Sequence, residues 1–158
     1  MLSHYVATSY VYDRIRDSFL FVLHQKLQKW LPPGGHLNDG EMPHKGALRE
    51  MFEEIGVYGK IIDIHGIANI GTSTTQLIPA PFCILHETVP AESEGEEHIH
   101  IDFNYIVEIN LSNPLILSEK EILDVKWVSI NQIELLDTYI SVKQVCQAIS
   151  NIFKERAI

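Results

Sequence analysis

The chain has 158 residues, of which 46% are hydrophobic and 21% charged, enough for one globular domain over residues 1–158 with a real core and no call for a second. Its formal net charge of −9 argues against general affinity for nucleic-acid polymers, which relies on Lys and Arg neutralising phosphates. A small phosphorylated ligand stays compatible, because a bound cation can supply the local positive charge. No run of about 18 apolar residues marks a membrane span, and no basic region followed by an apolar signal core opens the chain. Cys83 and Cys146 form neither a metal-ligand spacing nor a disulfide framework and read as small buried hydrophobes. The expected compartment is the cytoplasm, with no membrane partner.

In chain order, residues 5–12, rich in Tyr, Val and Thr, and the apolar run 19–24 read as strands. Residues 26–29 are a polar turn or strand extension. Trp30-Leu-Pro-Pro-Gly-Gly35 follows, and two prolines with two glycines exclude regular helix there. The stretch from Gly35 to Val57 then carries a short helix in its second half. Pro43 stands near the helix start, where a missing N–H costs nothing, and Gly56 is placed for a left-handed C-terminal cap. On a helical wheel Ala47, Leu48, Met51, Phe52 and Ile55 share one side and Glu50, Glu53 and Glu54 roughly the other. Like charges three and four residues apart destabilise a helix, so a compensating group is expected. A solvated acidic face is the plain reading. Mg²⁺ is the chemical one, since it takes a few carboxylate oxygens and keeps its other positions for water and phosphate.

Gly35, five residues, Glu41, seven residues, then Arg49-Glu50-Met51-Phe52-Glu53-Glu54-Ile55-Gly56-Val57 resembles the Nudix box, G-x5-E-x7-R-E-U-x-E-E-x-G-U, at every defined position, Met51 being the softest match. The upstream W-x-P-x-G-G is also typical of Nudix proteins.

Beyond the helix, residues 60–70 and 76–86 read as strands around the small polar stretch 71–75. Residues 87–97, with Glu92, Glu94, Glu96 and Glu97, read as an acidic surface loop. From His98 to Ile109 the pattern alternates: Ile99, Ile101, Phe103, Tyr105, Val107 and Ile109 face one way, His98, His100, Asp102, Asn104 and Glu108 the other. His-x-His can bind a transition metal, and His-x-His-x-Asp can equally contact a substrate phosphate or base. Pocket lining is the favoured reading, because the carboxylate helix already accounts for a cation. Residues 121–128 read as a last strand carrying Trp127. Asn131 with Glu134 makes a capping box for a short helix. Val142, Val145, Cys146, Ile149, Ile152 and Phe153 then recur at helical spacing in an amphipathic terminal helix.

Strands, helix, strands and helix give an α/β domain. The resemblance implies more: the Nudix α/β/α sandwich with a mixed sheet, and Mg²⁺- or Mn²⁺-dependent hydrolysis of a pyrophosphate bond in a nucleoside diphosphate linked to another moiety. Carried over by position, Glu50, Glu53 and Glu54, helped by the carbonyl of Gly35, would hold the cation. Arg49 would orient the glutamates, and Glu41 would contribute more weakly. The resemblance leaves Glu50, Glu53 or a loop glutamate such as Glu97 as the general base, and His98, His100, Asp102 and Tyr105 are expected to contact substrate. It also allows a homodimer, although no segment stands out as an interface. Two other readings compete with this one. A non-catalytic nucleotide-binding or regulatory Nudix domain is opposed by the intact box. An isomerase resembling isopentenyl-diphosphate isomerase lacks an identifiable catalytic cysteine and metal-ligand set.

Overall fold

The computed structural model describes residues 1–68, 70–91 and 95–156. Strand β1 (Ser3–Asp13) is its axis, because it pairs on both edges and passes from one half of the sheet to the other. Its first nine residues run parallel to β7 (His98–Glu108), from Ser3 opposite Ile99 to Val11 opposite Val107. On its other edge it pairs antiparallel with β4 (Gly34–His36), and its end turns into β2 (Ser18–His24). β2 is flanked by β3 (Trp30–Leu31) and β8 (Ile122–Ser129). The far edge of β7 takes β5 (Lys60–Ile61) and β6 (Cys83–Val89), both antiparallel.

Helices cover the two faces of this mixed sheet. α1 (Pro43–Ile55) buries Ala47, Met51 and Ile55 against Ala7, Val11, Tyr105 and Val107. On the opposite face, the 3₁₀ turn Ile130–Leu135 and α2 (Ile140–Arg156) bury Ile133, Val145, Ile149 and Phe153 against Tyr10, Tyr12, Phe21 and Ile106. Alternate residues of one strand thus feed two cores, and burying each large apolar side chain contributes about 1.5–3 kcal/mol. This is the α/β/α arrangement expected. Among the described residues no helix is long and apolar enough to cross a membrane.

Local expectations fare unevenly. α1 begins with Pro43 at its first turn and ends at Gly56, whose φ of 73° is left-handed and whose N–H bonds the Phe52 carbonyl. The wheel, however, misplaces two side chains. Glu54 is buried with Ala47, Met51 and Ile55 on the i, i+4, i+7 stripe, whereas Phe52 is exposed and stacks on Tyr58 at 4.2 Å.

Residues 60–70 supply strand only at Lys60–Ile61, with one further bond from Ile62 N–H to the Ile106 carbonyl. The strand expected over 76–86 is Cys83–Val89 instead, so Glu87 is in a strand rather than a loop. In both cases the partner decides: only the stretches that reach the free edge of β7 can pair. Of the acidic segment, Glu92 and Glu94 lie outside the described residues. Asn131 caps nothing, because the short helix opens at Ile130 with Ser129 in the cap position and no side-chain cap bond. Both cysteines are free.

Candidate active site

Gly34 and Gly35 bring β4 against the inner turn of α1. A Cβ on Gly35 would stand 2.6 Å from both Cδ and Oε2 of Glu50, so only glycine admits that carboxylate. The Gly34 N–H donates to Glu54 Oε2 at 3.1 Å. Arg49 gathers the remaining acids. Its Nε and Nη2 grip Glu41 Oε1 and Oε2 at 2.7 and 2.9 Å. Its Nη1 donates to Glu50 Oε1 at 2.7 Å and Glu53 Oε2 at 3.1 Å, and Nη2 also reaches the His36 carbonyl at 2.9 Å. One guanidinium, held by a bidentate fork, therefore fixes three carboxylates around Gly35. Glu41 is fixed in turn by the Asn38 N–H at 2.9 Å.

The charges do not balance. Glu41, bonded by Arg49, is held below the ordinary carboxyl range. Glu50 is pushed upward by burial, against the pull of Arg49. Glu54, only 3% exposed, is raised to about 9, first by burial and then by the charges of Glu50, Glu121 and Glu53, with the Gly34 N–H as the opposing contact. A carboxyl buried among like charges keeps its proton unless a cation balances it, and this all-oxygen donor set suits a hard divalent ion. The residues expected from the sequence to hold the metal therefore fit one.

A fifth carboxylate in this field was missed by the sequence reading. Glu121, just before β8, raises both Glu50 and Glu54. Its loop is anchored where the Ile116 and Ser118 N–H groups satisfy the last carbonyls of α1, at Ile55 and Glu54 (2.8 and 2.9 Å). The run Glu119-Lys-Glu121 carries no spacing signal that could have pointed to it.

The polar residues of β7 occupy the other face of the sheet. Asp102, raised to about 7 by burial and then by the charge of Glu87, accepts from Thr8 Oγ1 at 2.9 and 3.0 Å. His98 and His100 sit farther along that face, with their Nε2 atoms 3.0 Å apart. At β4 the two faces meet, since Gly35 opposes Ala7 and His36 opposes Val6.

Comparison with known proteins decides the family, because the model of the NUDIX domain matches residues 3–147. The chain belongs to the NUDIX domain family. A Nudix relative named as a probable DHNTP pyrophosphohydrolase from Lactococcus lactis subsp. cremoris is 32% identical over 97 residues, 59% of this chain and 48% of that protein. The matched stretch thus spans about half of that relative's length. Among solved structures, a NUDIX-family hydrolase from Clostridium perfringens superposes with a TM-score of 0.74 at 20% identity, covering 95% of this chain and 97% of that one. A C. elegans Ap4A hydrolase in a binary complex superposes with a TM-score of 0.65 at 18% identity, covering 95% and 98%. At those identities the likeness is one of fold.

Within this Nudix fold, Gly35, Glu41, Arg49, Glu50, Glu53 and Glu54 come together, and His98, His100 and Asp102 share a second locus. Two expected site residues stand apart. Tyr105, 1% exposed, is packed in the core beneath α1 on the opposite face from Asp102, so a substrate cannot reach it. The odd-numbered register that makes β7 alternate is what sends it there. Glu97 is exposed just before β7, and among the described residues no hydrogen bond ties it to the carboxylate group.

Proposed function

We propose that this Nudix protein is a divalent-cation-dependent pyrophosphohydrolase of nucleoside diphosphate derivatives. The observation that carries the reading is the Arg49-centred cluster of Glu41, Glu50 and Glu53 with Glu54 buried behind it. Glu50, Glu53 and Glu54, with the Gly35 carbonyl, would hold Mg²⁺ or Mn²⁺. When bound, such an ion neutralises phosphate oxygens and makes water more acidic.

The chain's own part is to set the geometry. Arg49 keeps Glu50 and Glu53 oriented, and Glu41 keeps Arg49 oriented. A carboxylate in this set takes the proton of the attacking water. The water oxygen bonds to phosphorus as the bridging P–O bond breaks, and each of the two products carries one of the separated phosphate ends. Glu50, Glu53 and the exposed Glu97 are the bases the sequence offers, and Glu121 joins them by its place in the same field. Recognition of the non-reacting moiety is assigned to the opposite face at β4, where Asp102 and Thr8 present a carboxyl and a hydroxyl.

The test is hydrolysis of Ap4A, DHNTP, ADP-ribose, an oxidised nucleoside triphosphate and a nucleotide sugar, with Mg²⁺ and then Mn²⁺. On the best substrate, Glu53→Gln and Glu54→Gln should each lower kcat at least about a hundredfold with the fold intact by circular dichroism. Near-native turnover in both variants would overturn the reading.

A further inference from the structure

Four imidazoles converge where β1, β4 and β7 begin or end together. His4 stands directly opposite His100 across the parallel pair. The ring centroids of His4 lie 4.7 Å from His98, 6.0 Å from His100 and 5.2 Å from His36, and His36 lies 5.0 Å from His100. One ring nitrogen from each of His4, His98 and His100 falls within 4.8 Å of the other two.

We propose that His4, His98 and His100 form a site for a borderline transition-metal ion of the Zn²⁺ type, separate from the carboxylate centre, with His36 alongside as a further imidazole. Three features support it. The first is orientation. His98 Nδ1 lies 2.8 Å from the Glu96 carbonyl, which can only accept, so Nδ1 carries the hydrogen and the lone pair sits on Nε2, toward His100. Metal-binding histidines are commonly oriented by such a carbonyl.

The second is an unmet polar atom: His4 Nδ1 is buried and has no hydrogen-bond partner among the described residues. A buried group left so costs stability until something satisfies it. The third is donor chemistry. Neutral imidazoles suit Zn²⁺, Ni²⁺ or Cu²⁺, whereas Mg²⁺ prefers oxygen. In a tetrahedral Zn²⁺ site with bonds of about 2.0–2.1 Å, ligand nitrogens stand about 3.3 Å apart. The His98–His100 separation of 3.0 Å is close to that. His100 Nε2–H donates to His98 there, and with its hydrogen moved to Nδ1 or lost to solvent the same nitrogen faces an ion. The widest pair needs to close by about 1.5 Å.

The two centres are neighbours across β4 without being one site. Gly35 turns to Glu50 on one face, and His36 turns to His4 and His100 on the other. An ion on the imidazoles would clamp the start of β1 to the start of β7, beside the His36 carbonyl that Arg49 grips.

The experiment is calorimetric titration of Zn²⁺ into tag-free, metal-stripped protein in excess Mg²⁺, so that oxygen sites are occupied, with the visible spectrum of the Co²⁺-loaded protein as a second readout. One equivalent should bind with micromolar or tighter Kd. His4→Asn and His100→Gln should each weaken binding at least about tenfold and abolish the Co²⁺ bands, while Glu53→Gln should leave both unchanged. His4 and His100 are only part-buried, and either variant suffices if the other misfolds. No binding to the wild-type protein, or binding lost in Glu53→Gln and kept in both histidine variants, would overturn the proposal. Near-native pyrophosphate hydrolysis in Glu53→Gln and Glu54→Gln, with the Co²⁺ bands retained, would fault the carboxylate assignment and leave this one standing.

Discussion

An alanine at position 35 would put its methyl carbon 2.6 Å from Cδ and Oε2 of Glu50 and 2.9 Å from Oε1. Ordinary contact begins near 3.4 Å, so the carboxylate must retreat by 3.4 − 2.6, or about 0.8 Å. It can do so cheaply, being the far end of a flexible side chain, but only by leaving the position where Arg49 Nη1 holds it at 2.7 Å. Misplacing a reacting group by about 1 Å can cost a hundredfold in rate, or about 2.7 kcal/mol of transition-state stabilisation.

Gly34→Ala is the matched control. Its Cβ would meet the Ala7 carbonyl oxygen at 2.6 Å and the Thr8 Cα at 3.0 Å, both backbone atoms of β1 that cannot swing aside. That strain falls on the β1–β4 pairing and should cost about 1–3 kcal/mol of stability. Neither glycine has a left-handed φ, so backbone preference does not blur the comparison. Steady-state hydrolysis with Mg²⁺ and thermal melting of both variants are the measurements. Gly35→Ala should keep its Tm and lose kcat, and Gly34→Ala should lose Tm. Wild-type kcat in Gly35→Ala, or equal destabilisation by both, would refute the argument that Glu50 is placed by the missing side chain.

Arg49→Lys keeps the charge but cannot span Glu41, Glu50, Glu53 and the His36 carbonyl at once; kcat is expected to fall about ten- to a hundredfold with KM little changed, and a rise in KM alone would count against an orienting role. Acid stability should report on Asp17. Burial raises its pKa, but bonds from Lys154, Ser150 and Tyr12 outweigh this and hold it below its ordinary value. A depressed pKa means stability that is complete above the unfolded value of about 3.9 and lost as pH falls through the folded one. Asp17→Asn should therefore be about 1 kcal/mol less stable at neutral pH, with the gap in denaturant unfolding closing at the acid end. A gap constant down to pH 2 would show that these contacts do not titrate.

How legible the molecule was from its sequence depended on distance along the chain. Glu41, Arg49, Glu50 and Glu53 lie within thirteen residues, and helical geometry alone places most of them together, so the spacing was readable. The inward turn of Glu54 was less so, because a wheel ranks a glutamate as outward and ignores the Gly34 N–H that receives it. The alternation of β7 correctly separated Asp102 from Tyr105, yet placing Tyr105 among substrate contacts overlooked that its face is roofed by α1. Glu121 and His4 were invisible because each reaches its partners through tertiary pairing: one by a loop bonded to the end of α1, the other by the β1–β7 register. The displaced strands at residues 60–70 and 76–86 show the same dependence, with propensity present but the partner edge elsewhere.

The parallel pairing of β1 with β7 also sets an order of assembly. Thr8 and Asp102 are 94 residues apart in the chain, and parallel strands so distant must close a long loop before any of their contacts repay it. The Arg49 cluster closes a short one. The Arg49 cluster is therefore local in sequence, but the helix that carries it is buried against Tyr105 and Val107 of β7 and closed at its end by Ile116 and Ser118. The same late-made strand thus roofs the carboxylate helix on one face and seats Asp102, His98 and His100 on the other, so both loci wait for one long-range pairing.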